Sequence, residues 1–118
     1  MPRILIVDDA AFVRMRCARA LGEKGYQVSE AANGMEALQK YEENMPDVVL
    51  MDITMPYMDG ITTLKKLIEL DPKAKVAMVT VMGQQSVMIE ALKSGAKDFV
   101  VKPFDAGRVL SAVEKLME

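Results

Sequence analysis

The chain has no histidine, no tryptophan and a single cysteine among its 118 residues. Each absence removes a class of chemistry. Without histidine there is no Ser-His-Asp or Cys-His nucleophile, and no zinc site with an imidazole ligand. One cysteine makes neither an intrachain disulfide framework nor a cysteine zinc cluster. Charge of neither sign dominates: Lys plus Arg is 15 and Asp plus Glu is 17, a net charge of −2. That balance provides no broad basic surface for nucleic acid. The longest run of Ile, Leu and Val is four residues, at 4–7, far short of the roughly 20 a membrane-spanning helix needs. No charged-then-apolar leader opens the chain, so a cytoplasmic protein is expected. Apolar residues, in contrast, make up 51% of the sequence. They suffice for a sizeable core in one domain over residues 1–118.

Those apolar residues fall into short clusters at 4–7, 48–51, 76–79 and 99–101, with a weaker one at 26–29. The clusters are β-branched and nearly continuous rather than alternating, as strands buried on both faces of a parallel sheet are. Helix-period segments separate them. Over 10–24, Val13, Cys17, Ala20 and Leu21 form the stripe, and Arg14, Arg16 and Arg19 lie off it on an expected solvated face, with contact to an acidic partner as the alternative. Cys17 is read as an inert core residue. Asn33 with Glu36 signals the cap of a helix over 34–44, whose stripe is Ala37, Leu38, Tyr41 and Met45 and which Pro46 stops. Asp59 caps a third helix carrying Ile61, Leu64 and Ile68, ending before Asp71-Pro72. A fourth runs over 84–93. A fifth over 106–117 is capped by Asp105 and carries Val109, Leu110, Val113 and Leu116. The expected fold is α/β: a (βα)5, flavodoxin-like, doubly wound five-stranded parallel sheet of order 2-1-3-4-5, with right-handed crossovers.

Ligands in open α/β sheets bind beyond the carboxyl ends of the strands. Here those ends carry Asp8-Asp9, Asp52, Thr80 and Lys102-Pro103. Asp9 is also expected to cap the first helix. Three gathered carboxylates repel a bare phosphate and call for a cation. Mg²⁺ suits them, as a hard ion held by carboxylates, waters and a phosphate oxygen. No G-x-G-x-x-G and no P-loop string occurs. Asp52 is then the candidate nucleophile, forming an aspartyl phosphate, with Lys102 as a second positive charge and Thr80 as a hydroxyl donor.

Four strings carry a resemblance: LIVDD (5–9), MDITMPYMDG (51–60), VTVMG (79–83) and GAKDFVVKPF (95–104), each at an expected strand end. In this order, and along the whole chain, they resemble the receiver domain of two-component response regulators, and within it the stand-alone chemotaxis type. The resemblance implies that Asp8, Asp9 and Asp52 hold Mg²⁺ together with the main-chain carbonyl of Thr54. Phosphorylation would fall on Asp52, donated by a sensor histidine kinase. Lys102 and Thr80 would stabilise the phosphoryl group. Thr80 and Phe99 would form the switch, the ring filling the space that the hydroxyl vacates. Many relatives carry Tyr at this aromatic position, and Phe99 lacks that hydroxyl. A cis peptide between Lys102 and Pro103 is implied, as is a partner face on the fourth helix, fifth strand and fifth helix.

The fourth helix is apolar on more than one side, which exposes either Met88 or Ile89; with Leu92 and Phe99 they make the candidate partner surface. The implied partners are the kinase, a target such as a flagellar switch protein, and a phosphatase. The domain is expected to act as a monomer with no nucleic acid or membrane, and to promote only its own aspartyl phosphorylation and dephosphorylation. By analogy with the family, the string VTVMGQQ and an expected lack of an output domain imply a chemotaxis regulator rather than the alternative, a phosphorelay intermediate. From another class, a phosphatase of the haloacid-dehalogenase type would want a second acid two residues after its nucleophile, where Thr54 stands.

Overall fold

The computed structural model describes residues 2–55, 57–81 and 85–118. Strands and helices alternate as β1 (Arg3–Val7), α1 (Ala11–Glu23), β2 (Gln27–Ala31), α2 (Gly34–Asn44), β3 (Val48–Asp52), α3 (Gly60–Leu70), β4 (Val76–Val81), α4 (Gln85–Lys93), β5 (Asp98–Lys102) and α5 (Ala106–Met117). The five strands form one parallel sheet of order β2-β1-β3-β4-β5. Two of the expected positions, the Gln84 start of the fourth helix and the Met82-Gly83 end of VTVMG, lie outside the described residues, as does Pro56.

Successive strand residues point to opposite faces, and each face is covered by helices. Leu5, Val7, Val49, Met51, Val76 and Met78 pack with Ala37, Tyr41, Leu64, Leu67 and Ala91, so α2, α3 and α4 cover one side. Ile4, Ile6, Val48, Leu50 and Ala77 pack with Cys17, Leu21, Val109, Val113 and Leu116, so α1 and α5 cover the other. This double coverage is why the central strands read as unbroken apolar runs: every residue of β3 is buried. Each large aliphatic side chain so buried contributes about 1.5–3 kcal/mol by leaving water. β2 and β5 lie at the sheet edges, and their sequences are correspondingly more polar.

Side-chain caps set three helix starts. The Asn33 side chain accepts from the Glu36 N–H at 2.9 Å, Asp59 from Thr62 at 2.8 Å and Asp105 from Arg108 at 2.9 Å. The first helix differs from expectation: its cap position is Ala10, with no side-chain cap, and Asp9 does not serve. The Ala10 N–H instead donates to Asp8 Oδ1 at 2.8 Å, so the neighbouring aspartate takes the local donor. Met45 also departs from the expected stripe. It adopts φ 45° as the C-cap of α2, and its side chain is exposed. Pro46 disfavours the right-handed helical conformation at residue 45, and the left-handed turn carries the side chain off the core face. Among the described residues no helix is long and apolar enough to cross a membrane.

Candidate functional site

The carboxyl ends of the central strands converge. β1 delivers Asp8 and Asp9, β3 ends at Asp52, and one oxygen from each of these three carboxylates lies within 4.8 Å of the others. Asp8 and Asp52 are buried and Asp9 is exposed, so the cluster opens to solvent on the Asp9 side. β5 brings in Lys102, whose Nζ donates to Asp8 Oδ2 at 3.2 Å and lies 3.6 Å from Asp52 Oδ2. The Lys102–Pro103 peptide is cis. A depression of about 370 Å³ beside Lys102 is lined by Val13, Arg16, Val81, Pro103 and Phe104.

Burial and charge work against each other on Asp52. Burial first, then the Asp8 carboxylate and more weakly Asp9, push its pKa up to about 6; Lys102 and the Thr54 N–H oppose them. On Lys102, burial disfavours the charge, but Asp52 and Asp8 outweigh it and hold the pKa above its ordinary value. A group of three carboxylates facing one ammonium is short of positive charge, and hard oxygen donors at this spacing suit a divalent cation such as Mg²⁺. The residues present therefore fit the cation expected from three carboxylates gathered at the strand ends.

Two further expected residues lie on β4 and β5, Thr80 near the carboxyl edge and Phe99 deeper along its strand. Thr80 is buried on β4, its hydroxyl donating to the Val81 carbonyl at 3.3 Å. Phe99 is half-buried on β5 and packs against the core beneath α2, α3 and α4. Thr54 is exposed on the loop after Asp52. On α4, Ile89 and Leu92 are exposed by 53% and 43%, whereas Met88 is half-buried. Of Met88 and Ile89, Ile89 is thus the one that the two-sided apolar pattern leaves outside.

Two residues beside the acids carry other expectations from the sequence, Gly60 with Asp59 as a turn and helix cap and Arg14 on a solvated face. Gly60 begins α3 directly against the end of β3: its N–H donates to the Ile53 carbonyl at 2.7 Å, and a Cβ there would run into the Asp52 carbonyl oxygen. Arg14, expected on a solvated face, has a side chain only 18% exposed and reaches the Asp8 carbonyl with Nη1 at 2.6 Å. The signal for Gly60 was available, as a small residue following the Asp59 cap. Nothing local separates Arg14 from Arg16 and Arg19.

A family model, the response regulator receiver domain, matches residues 4–114. The chain belongs to this family. The receiver is 55% identical over 116 residues to the chemotaxis protein CheY of Bacillus subtilis, covering 98% of this chain and 97% of that one. It is 53% identical to the chemotaxis protein CheY of Thermotoga maritima, covering 97% of this chain and 96% of the relative. Among solved structures, the Vibrio cholerae chemotaxis protein CheY4 matches with a TM-score of 0.94 at 30% identity, over 98% of both chains. The receiver fold and its strand order are thus those anticipated, and the receiver is a phosphorylation-controlled signalling domain.

Proposed function

We propose that this receiver accepts a phosphoryl group on Asp52 from a phosphohistidine of a sensor kinase, and that it works as a chemotaxis-type regulator acting on a flagellar switch protein or similar target. The observation that carries the acceptor assignment is the buried Asp52 carboxylate, set among Asp8, Asp9 and Lys102 at the carboxyl edge of the sheet. Asp8, Asp9, Asp52 and the Thr54 carbonyl would hold Mg²⁺, which when bound neutralises charge on the transferring phosphoryl group. An Asp52 oxygen attacks phosphorus, the P–N bond of the donor breaks, and its electron pair leaves with the partner's imidazole. Lys102, 3.6 Å from the acceptor oxygen, is placed to shift its ammonium onto a phosphoryl oxygen. The Thr80 hydroxyl turns toward the new anion, and the Phe99 ring follows into the vacated space. This moves the Ile89, Leu92, Met88 and Phe99 face between its two states. The switch works only to the extent that the phosphoryl group favours one arrangement over the other. The chemotaxis assignment draws on the names of the B. subtilis and T. maritima relatives.

Labelling with acetyl phosphate and Mg²⁺ tests the acceptor. Wild type should take up an acid-stable, hydroxylamine-labile phosphate, and Asp52→Asn should not. Equal labelling of Asp52→Asn would overturn the assignment. Sustained turnover of a phosphomonoester over many cycles per chain would point to an enzyme instead.

A further inference from the structure

We infer that Arg14 is a positioning residue for the cation site and that Glu30 holds it in place, an inference that rests on reading Asp8, Asp9 and Asp52 as Mg²⁺ ligands. α1 carries three arginines, and they are not equivalent. Arg19 is 83% exposed and, among the described residues, pairs along its own helix with Glu23. Arg14 is 18% exposed, and its guanidinium makes two contacts beyond the helix. Nη1 donates to the main-chain carbonyl of Asp8 at 2.6 Å, and Nε donates to Glu30 Oε1 at 3.2 Å.

Glu30 lies on β2 beside Ala31, whose carbonyl accepts from the Asp8 N–H at 3.1 Å. The main chain of Asp8 is therefore gripped at both polar ends, its N–H by β2 and its carbonyl by Arg14. Asp8 Oδ1 in turn fixes the next N–H but one, at Ala10. Asp9 sits between these two anchored residues, so the direction in which its exposed carboxylate leaves the chain is set by them. A guanidinium satisfies both contacts because its N–H groups fan out within one rigid plane; a lysine ammonium is a single point and cannot occupy both places.

Charge supplies a second reason for Glu30. An unpaired guanidinium against the Asp8 carbonyl would repel a divalent cation. Glu30 neutralises it across a pair that is half-shielded from solvent, which leaves Lys102 as the cation that faces the acids. Residues that orient metal ligands without touching the metal typically change affinity by 10–100-fold when removed.

The test is a titration with Mg²⁺ alone, followed by the backbone amide NMR shifts of Asp9, Ala10 and Thr54. Arg14→Met should weaken Mg²⁺ binding roughly tenfold, and Arg14→Lys should weaken it in the same direction. Glu30→Gln should weaken it less, and should lose that effect in the Arg14→Met background. Exchange of the Ala10 amide should quicken in Arg14→Met, because the aspartate that holds it has lost the anchor at its carbonyl. Arg14 variants with native spectra and wild-type Mg²⁺ affinity would overturn the inference. A Glu30→Gln effect of the same size with and without Arg14 would reduce Glu30 to a general field and overturn its holding role. Should Arg14→Met fail to fold, Arg14→Lys decides. Wild type that ignores Mg²⁺, or Asp9→Asn that binds it as well as wild type, would instead sink the underlying ligand assignment.

Discussion

Adding one methyl group at Gly60 and at Gly22 should change stability in opposite directions. At Gly60 the new Cβ would run into the Asp52 carbonyl oxygen and stand 2.7 Å from the Ile53 Cα and 3.0 Å from the Asp52 carbonyl carbon. All three are backbone atoms at the end of β3, held in the ladder by the Ile53 N–H bond to Val79, and none can rotate aside. α3 must withdraw, stretching the 2.7 Å hydrogen bond from Gly60 to Ile53. Overpacking of this kind costs about 1–3 kcal/mol, which for a domain of this size lowers the melting temperature by roughly 4–12 °C. At Gly22, in the last turn of α1, a Cβ meets nothing within 4 Å. There alanine removes the conformational freedom of glycine in the unfolded chain and should stabilise by about 0.5–1 kcal/mol, roughly 2–4 °C. Thermal and urea unfolding followed by circular dichroism read both. The strain at Gly60 falls on the residue that carries the proposed acceptor, so Gly60→Ala should also slow acetyl phosphate labelling, and Gly22→Ala should leave it unchanged. A Gly60→Ala protein as stable as wild type would refute the close approach of α3 to β3, and with it the account of how Asp52 is positioned.

Two other outcomes follow from buried titratable groups. Burial and the neighbouring acids raise Asp52 to about 6. Between roughly pH 4 and pH 6 the folded chain thus keeps a proton that the unfolded chain has released, and stability falls as pH rises through that window. Without divalent cation, Asp52→Asn should escape this loss and gain up to about 3 kcal/mol over wild type above pH 6, less whatever the lost Lys102 contact contributed. Parallel stability–pH curves for the two proteins would show that the carboxylate is not under this stress. Cys17 is buried between α1 and α5, and its burial, reinforced by Asp8, pushes the thiol up to about 11. Ellman's reagent near pH 8 should label it only as fast as the protein unfolds, and rapid stoichiometric labelling of the native chain would contradict the packing.

The elements were legible where one local cause decides them. β-branched runs between polar breaks marked the strands, and Asn33, Asp59 and Asp105 marked three helix starts because each cap acts on an N–H three residues on. The acids and Lys102 were legible for a different reason: a parallel sheet places every carboxyl strand end on one edge, so topology does the work that spacing cannot. Met45 and Asp9 were misread because each was judged by its place in a helical pattern, while the deciding influence, Pro46 in one case and the Asp8 carboxylate in the other, lay outside that pattern.

The same distinction explains why Arg14 was hidden. Asp8 and Lys102 are 94 residues apart, yet each stands at a strand end where its chemistry is conspicuous. Arg14 and Glu30 are only 16 apart, but their pairing depends on how far α1 rotates over β1 and β2, and no residue type records that angle. Arg14, Arg16 and Arg19 all lie off the apolar stripe. Tertiary packing alone turns the first inward to the Asp8 carbonyl and leaves Arg19 in water. The proposed site therefore has two layers of different visibility: the acids, Lys102 and Thr80 proposed to meet the phosphoryl group and cation stand at the strand ends, whereas Arg14, inferred to aim them, is turned inward by the angle at which α1 crosses the sheet.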